Sequence, residues 1–109
     1  VDVIQYDIFG YGFSRWLALG RELDGAHVRT APHHYGGHYG NYAAGHLAAA
    51  IQGFTYVEWD EATTNGLDTS GYVLQEGRVA LPAAPGFGLK LDETVFSRAV
   101  IREGVRRVA

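Results

Sequence analysis

The chain contains no cysteine, so disulfide bonds and thiolate metal ligands are both unavailable to it. Its 109 residues must be stabilised by packing, by assembly or by a ligand held through other side chains. Methionine is also absent, and an apolar alternating run already begins at Val1. A start inside a secondary-structure element favours a segment of a longer protein over a complete chain that has lost its initiator methionine.

Long apolar runs and an excess of basic charge are missing as well. No stretch approaches the roughly 18 consecutive apolar residues of a membrane helix, and Asp2 and Asp7 stand where a secretory signal carries basic residues. Nine Lys and Arg face twelve Asp and Glu, a formal net charge of -3. A basic surface for a phosphate backbone is therefore not expected. We predict no membrane or nucleic-acid partner, and a cytoplasmic location.

What remains is the composition of a folded domain, 47% hydrophobic and 19% charged. Alternating apolar residues over 1–8 predict a strand, the glycines of FGYGF a turn, and the spacing over 14–23 a helix. A second short strand is predicted over 27–31. Pro32 is expected to keep that strand from continuing as a central ladder strand.

The next helix is rich in small residues. Asn41 is placed to cap the AGHLAAAI helix, Gly53 closes it, and residues 54–59 read as a third strand. The order βαβαβ predicts parallel strands joined by right-handed crossovers. A complete barrel of this kind takes about 250 residues, so the chain is expected to be less than half of one.

The pattern changes after residue 60. A polar stretch leads to a predicted β-hairpin around Glu76 and Gly77, then to a PGFG segment and a terminal helix over 93–105. We therefore divide the chain into 1–60, the last strands and helices of an α/β barrel, and 61–109, a C-terminal extension of the same enzyme.

Polar residues follow each predicted strand at its carboxyl end, where parallel α/β folds bind ligands. Asp7 ends the first strand, His33 or His34 follows the second, and Glu58 lies near the end of the third. Neighbouring strands are about 4.8 Å apart, so a carboxylate and an imidazole at adjacent tips can meet. Such an aspartate fixes the imidazole tautomer and favours its protonation, which suits a general base.

Two other interpretations of these residues stay open. Asp7 can simply cap the glycine turn while the histidines decorate the HHYGGHYG loop. Alternatively, the four histidines of this region can bind zinc, although no H-E-x-x-H pattern is present. These histidines are His33, His34, His38 and His46.

Four segments together resemble the enolase superfamily, specifically the carboxyl-terminal part of its mandelate racemase and acid-sugar dehydratase group. They are VDVIQYDI, VRTAPHH, AAGHLAAAIQGFTYVEWDE and GRVALPAAPGFGLKLDE. The resemblance covers roughly residues 1–100, and its specificity lies in the order and spacing of the segments. It implies the last part of a TIM-type (β/α)7β barrel.

The resemblance also implies a chemistry. In this family a magnesium ion binds a substrate carboxylate while a base removes the neighbouring α-proton, and the ion stabilises the resulting enediolate. Position by position, Asp7 and His33 resemble the His-Asp dyad of the sixth and seventh strands. Glu58 resembles the eighth-strand glutamate that hydrogen-bonds the substrate carboxylate. Since the loop length varies within the family, His34 and even His38 are alternatives to His33.

The metal ligands implied by the resemblance should precede Val1, so the chain alone is expected to be inactive. We expect a lyase or isomerase, either a dehydratase or a racemase, when the remainder of the barrel is present. Its substrate is then an acid sugar or 2-hydroxy acid, and the complete enzyme is expected to be a homo-oligomer. The alternative is a non-catalytic fragment or assembly module of a split barrel.

Overall fold

A computed structural model describes residues 1–34 and 38–104 of the chain. Part of the predicted histidine loop, residues 35–37, and the predicted helix end at residue 105 lie outside the described residues. The chain divides into two compact units, Val1–Ala62 and Thr63–Ala109. Within the described residues, no helix is both long enough and apolar enough to cross a membrane.

The first unit contains short parallel strands covered by helices. Strand β1 pairs in parallel with β2, and Thr30 of β2 forms a further parallel bridge with Phe54. The elements are β1 (Val3–Ile4), α1 (Ile8–Tyr11), α2 (Phe13–Gly25), β2 (Arg29–Thr30) and α3 (His38–Ala49). Strand β2 therefore lies between β1 and the segment that starts at Gly53, called here the 53–60 segment.

The strands are shorter than predicted, and α1 was not predicted at all. Strand β1 ends at Ile4 because the chain soon turns into α1, whose N-terminus is capped by the side chain of Asp7. Pairing nevertheless resumes at an isolated parallel bridge between Asp7 and His33. The FGYG sequence thus forms a helical turn, and Gly12, with φ of 91°, separates α1 from α2.

Pro32 affects only one side of β2. Backbone hydrogen bonds to the β1 side continue past it, with His33 N donating to the Tyr6 carbonyl at 3.1 Å. On the other side, Thr30 N donates to Gly53 O and Thr55 N donates to Thr30 O, and Pro32 occupies the next position that faces the 53–60 segment. The expectation that Pro32 keeps β2 from continuing as a central ladder strand is therefore confirmed on the side of the 53–60 segment. The third strand predicted over residues 54–59 is wrong, because residues 55–59 form no regular strand.

Helix α3 begins at His38, so the prediction that Asn41 caps it was wrong. Asn41 lies inside the first turns and is 1% exposed. Its side chain bonds to the backbone of Asp60 instead of to the helix's own N–H groups. Long-range bonding has replaced the local capping that asparagine usually provides.

The core of the first unit lies between α1, α2 and α3. Five buried side chains form it, namely Ile8, Trp16, Ala44, Leu47 and Ile51. Trp16 is fully buried, and its indole N–H donates to the Tyr6 carbonyl at 2.9 Å. This bond holds the chain between β1 and α1 against helix α2, directly before Asp7.

The second unit contains two antiparallel pairs and a helix. Strand β4 returns as β5 through Glu76 and Gly77, whose φ values of 51° and 71° suit a two-residue hairpin turn. The elements are β3 (Leu67–Asp68), β4 (Val73–Gln75), β5 (Arg78–Ala80), β6 (Lys90–Leu91) and α4 (Glu93–Glu103). Strand β3 pairs with β6.

Local side-chain caps stabilise the ends of these elements. Asp92 caps α4 by accepting hydrogen bonds from the backbone N–H groups of Thr94 and Val95. Asp68 accepts hydrogen bonds from the hydroxyl and the backbone N–H of Ser70, and these bonds lower the pKa of the Asp68 carboxyl.

Candidate active site

Three predicted site residues, Asp7, His33 and Glu58, lie together at one edge of the first unit. The parallel bridge between Asp7 and His33 places the first two at adjacent positions beyond the ends of β1 and β2. Glu58 reaches the same place from the 53–60 segment. Because all three chain segments run in the same direction, residues that follow their strands converge there.

Asp7 uses its two carboxylate oxygens for different purposes. Oδ1 accepts a hydrogen bond from the backbone N–H of Phe9 at 2.7 Å and so caps α1. Oδ2 lies 3.0 Å from Nδ1 of His33. Asp7 therefore caps α1 and contacts His33 at the same time.

The His33 ring lies between two carboxylates. Nδ1 faces Asp7, and Nε2 lies 3.6 Å from Oε2 of Glu58. The His33 side chain is 32% exposed. Since a carboxylate only accepts hydrogen bonds, the bond to Asp7 places a proton on Nδ1 and leaves the lone pair of a neutral ring on Nε2.

The backbone also fixes the position of His33. Its N–H donates to Tyr6 O at 3.1 Å, and its carbonyl accepts from Ile8 N at 3.0 Å. Asp7 lies between these two partners, so the main chain itself sets the separation of the two side chains. The ring therefore has little freedom to leave the carboxylate.

His34 and His38 are placed differently from His33. His34 is fully buried, and its Nε2 lies 2.8 Å from the backbone carbonyl of Glu58. His38 contacts the Tyr42 hydroxyl through Nε2 at 2.6 Å. Of the three candidate rings, His33 is the one that the structure brings to Asp7.

The zinc hypothesis finds no matching geometry in the described part of the chain. Across residues 1–34 and 38–104, no group of three or more His, Cys, Asp or Glu side chains is arranged to hold a metal ion. Neighbouring histidines in the sequence face different partners, as His33 and His34 do.

Sequence reasoning did not identify the contacts that hold Glu58. His34 was considered as a substitute for His33 and as a zinc ligand, and Asn41 only as a helix cap. Both side chains are buried and polar, and both bond to the main chain of the 53–60 segment. The available signal was the presence of two polar residues, His34 and Asn41, on either side of the glycine-rich stretch that contains Gly40.

Comparison with known proteins gives the family. The model of one family, described as enolase C-terminal domain-like, matches residues 1–95. The chain belongs to the enolase C-terminal domain-like family. The α/β architecture of the first unit agrees with this membership. A search of the curated proteins finds no match.

Solved structures extend the family comparison. The chain is 47% identical to galacturonate dehydratase from Geobacillus sp., solved with D-galacturonate and 5-keto-4-deoxy-D-galacturonate, with a TM-score of 0.89. It covers 94% of this chain and 28% of that one. A mandelate racemase/muconate lactonizing protein from Geobacillus sp. Y412MC10, complexed with magnesium and tartrate, is also 47% identical, with a TM-score of 0.91. There the coverage is 95% of this chain and 27% of that one.

A more distant structure shares the fold alone. A proposed L-alanine-DL-glutamate epimerase from Burkholderia xenovorans strain LB400, bound to magnesium and fumarate, is 24% identical with a TM-score of 0.73. The match covers 90% of this chain and 25% of that one. The chain therefore spans only about a quarter of the length of the enolase-superfamily structures it resembles.

Proposed function

We propose that this chain is the C-terminal barrel segment of a magnesium-dependent enolase-superfamily enzyme that removes the proton α to a carboxylate. The observation that carries the proposal is the partly exposed His33 side chain, whose Nδ1 lies 3.0 Å from Asp7 and whose Nε2 faces Glu58. An acid-sugar dehydratase is the preferred activity, since galacturonate dehydratase is 47% identical over 94% of this chain. The cytoplasmic location and homo-oligomeric state stay predictions.

Nε2 of His33 is the atom that exchanges a proton with substrate. When His33 acts as a base, the Nε2 lone pair takes the α-proton, and the electron pair of the broken C–H bond stays on the α-carbon, next to the carboxylate. The imidazolium that forms carries its second proton on Nδ1, where the Asp7 carboxylate stabilises the positive charge. The ring does not need to move, because Asp7 and the backbone hold it throughout.

In a dehydratase the same atom, Nε2 of His33, can afterwards donate a proton as a general acid. Once the α-proton has left, the electron pair forms a C=C bond as the β C–O bond breaks, and protonated His33 gives its Nε2 proton to the departing hydroxyl. The products are water and an enol. In a racemase, Nε2 instead returns a proton to the α-carbon while a base on the opposite face removes one.

Glu58 is proposed to bind the substrate carboxylate. Its Oε2 lies 3.6 Å from His33 Nε2, so a carboxylate held by Glu58 brings the neighbouring α-carbon close to the base. Two carboxyl groups that hydrogen-bond to each other share one proton. Glu58 therefore orients the substrate, while His33 transfers the proton and Asp7 holds the His33 ring.

The residues described here do not themselves make a magnesium site. No group of three or more metal-ligating side chains occurs in the described ranges, and the Asp7 and His33 positions that could contribute are bonded to each other. We propose that acidic residues preceding this segment in the complete enzyme bind the ion.

The test uses the full-length, magnesium-loaded enzyme and a panel of acid sugars that includes D-galacturonate. The change His33→Asn is expected to slow α-proton exchange with solvent deuterium by roughly 10²–10⁴-fold, the usual contribution of one general base. NMR of the substrate α-position measures the exchange. His27→Asn is the matched control, because His27 is exposed and its positive φ of 56° suits asparagine. Undiminished exchange in His33→Asn would remove His33 from the mechanism.

A further inference from the structure

The 53–60 segment loses its regular pairing before it reaches Glu58. Among the described residues, the last backbone hydrogen bond between it and β2 runs from Thr55 N to Thr30 O at 2.8 Å. Pro32 has no N–H to continue the ladder on that side. Another kind of interaction must therefore hold Glu58 in place.

His34 contacts both ends of Glu58. Its ring Nε2 lies 2.8 Å from the Glu58 carbonyl oxygen, and its backbone N–H donates to Glu58 Oε2 at 3.3 Å. A carbonyl only accepts, so Nε2 carries the ring proton. Nδ1 is buried with no hydrogen-bond partner in the described structure and lies 4.0 Å from Oδ2 of Asp60, as expected for the unprotonated nitrogen.

Asn41 holds the same segment two residues later. Its Nδ2 donates to the Asp60 carbonyl at 2.8 Å, and its Oδ1 accepts from the Asp60 N–H at 2.9 Å. With these two bonds, the side-chain amide of Asn41 pairs with the backbone of Asp60 as a neighbouring β-strand would. Because Asn41 is 1% exposed, water cannot easily replace either bond.

Gly40 brings these two groups together. A Cβ at residue 40 would overlap the Cβ, Cγ and Nδ1 atoms of His34, so only glycine lets the ring lie against the start of α3. His34 is fully buried in this position. The His34 ring, packed against the start of α3, and the Asn41 amide, which belongs to α3, therefore both bond to the 53–60 segment from the same helix end.

From these contacts we infer that His34 and Asn41 are positioning residues that set the Glu58 carboxylate relative to His33. This inference rests on the proposed role of Glu58 in binding the substrate carboxylate. Neither residue bonds to the His33 ring, which Asp7 and the β1 side hold independently. Removing the contacts of His34 and Asn41 with the 53–60 segment is therefore expected to weaken substrate binding more than proton transfer.

The experiment compares variants of the full-length, magnesium-loaded enzyme, with D-galacturonate as substrate and tartrate as a binding probe. His34→Leu and Asn41→Leu are expected to raise KM and the tartrate Kd by about tenfold to a hundredfold, with kcat changed less, since displacement of a binding group by about 1 Å has effects of this size. His34→Gln keeps a donor near the Nε2 position and is expected to restore most of the affinity.

A second measurement follows the segment without relying on activity. Hydrogen exchange is expected to speed up in the peptide covering residues 55–62 of His34→Leu and Asn41→Leu, while the peptide covering residues 1–12 keeps its protection. If His34→Leu does not fold, Gly40→Ala displaces the ring in its place and is read in the same two assays.

Glu58→Leu, which removes the hydrogen-bonding group, separates this inference from the proposed function. If Glu58→Leu leaves KM and the tartrate Kd unchanged, the proposed role of Glu58 is wrong. If Glu58→Leu raises them but His34→Leu and Asn41→Leu do not, the positioning role is overturned. Equal loss of kcat and thermal stability in His34→Gln and His34→Leu, with unchanged KM, would likewise show a structural role alone.

Discussion

Substitutions of Asp7 can separate its two structural roles, because each carboxylate oxygen has its own partner. Oδ1 accepts from Phe9 N at 2.7 Å, and Oδ2 bonds to His33 Nδ1 at 3.0 Å. Serine and asparagine are both good helix caps, so Asp7→Ser and Asp7→Asn are expected to keep the first bond. Neither presents a charged acceptor to His33, and Asp7→Ala loses both bonds.

The expected effects on stability and on catalysis differ in size. Loss of the cap in Asp7→Ala should lower the free energy of unfolding by about 0.5–2 kcal/mol. Asp7→Asn presents an N–H to Nδ1, which moves the ring proton to Nε2 and removes the lone pair needed there. We expect α-proton exchange to fall at least about tenfold, and at most by the roughly 10²–10⁴-fold that loss of a general base causes.

Both quantities are measured on the full-length, magnesium-loaded enzyme, by urea unfolding and by deuterium exchange into an acid sugar. Asp7→Ser and Asp7→Asn should retain near-native stability yet exchange slowly. The double variant Asp7→Asn with His33→Asn should be no slower than His33→Asn, since the two residues act as one unit. A wild-type exchange rate in Asp7→Asn, or exchange losses that simply follow stability, would refute the dyad.

Two further changes test other carboxylate contacts with the main chain. Asp24 accepts from Gln52 N at 3.0 Å and Gly53 N at 2.7 Å, so Asp24→Ala should lower the free energy of unfolding by about 1–3 kcal/mol in urea titrations, and Asp24→Asn by less. An unchanged midpoint would contradict this. Ser70→Ala should raise the pKa of Asp68 toward its ordinary value in a ¹³C NMR titration. Because that pKa is lowered in the folded state, Asp68 stabilises the fold above its unfolded pKa, and the contribution disappears as pH falls through the folded value.

Local patterns predicted the site better than the exact elements around it. Asp7 and His33 could be placed together because both follow strands whose parallel order is set by the intervening helix. The choice between His33 and His34 could not be made from spacing, since adjacent residues face opposite ways and the register of a short strand decides which one meets Asp7. The structure supplies that register.

The strand lengths and the role of Asn41 depended on tertiary contacts. A proline in a strand pattern predicts a lost hydrogen bond, but only the fold shows that Pro32 loses it toward Glu58 and not toward Asp7. Asparagine is a residue type that often caps helices, but the partner of Asn41 is Asp60, which lies 19 residues away. Residue preferences for helix caps reflect contacts between near neighbours in the sequence. They could not predict a hydrogen bond between residues this far apart.

The candidate site is thus held by two different kinds of interaction. Backbone bonds place Tyr6, Ile8 and His33 relative to one another, and the Asp7 side chain orients the His33 ring. Side-chain bonds from His34 and Asn41 hold the main chain at Glu58 and Asp60, and a single substitution removes either. Under the proposed roles, substitutions of His34 or Asn41 therefore change how a substrate is bound while the contact between Asp7 and His33 stays in place.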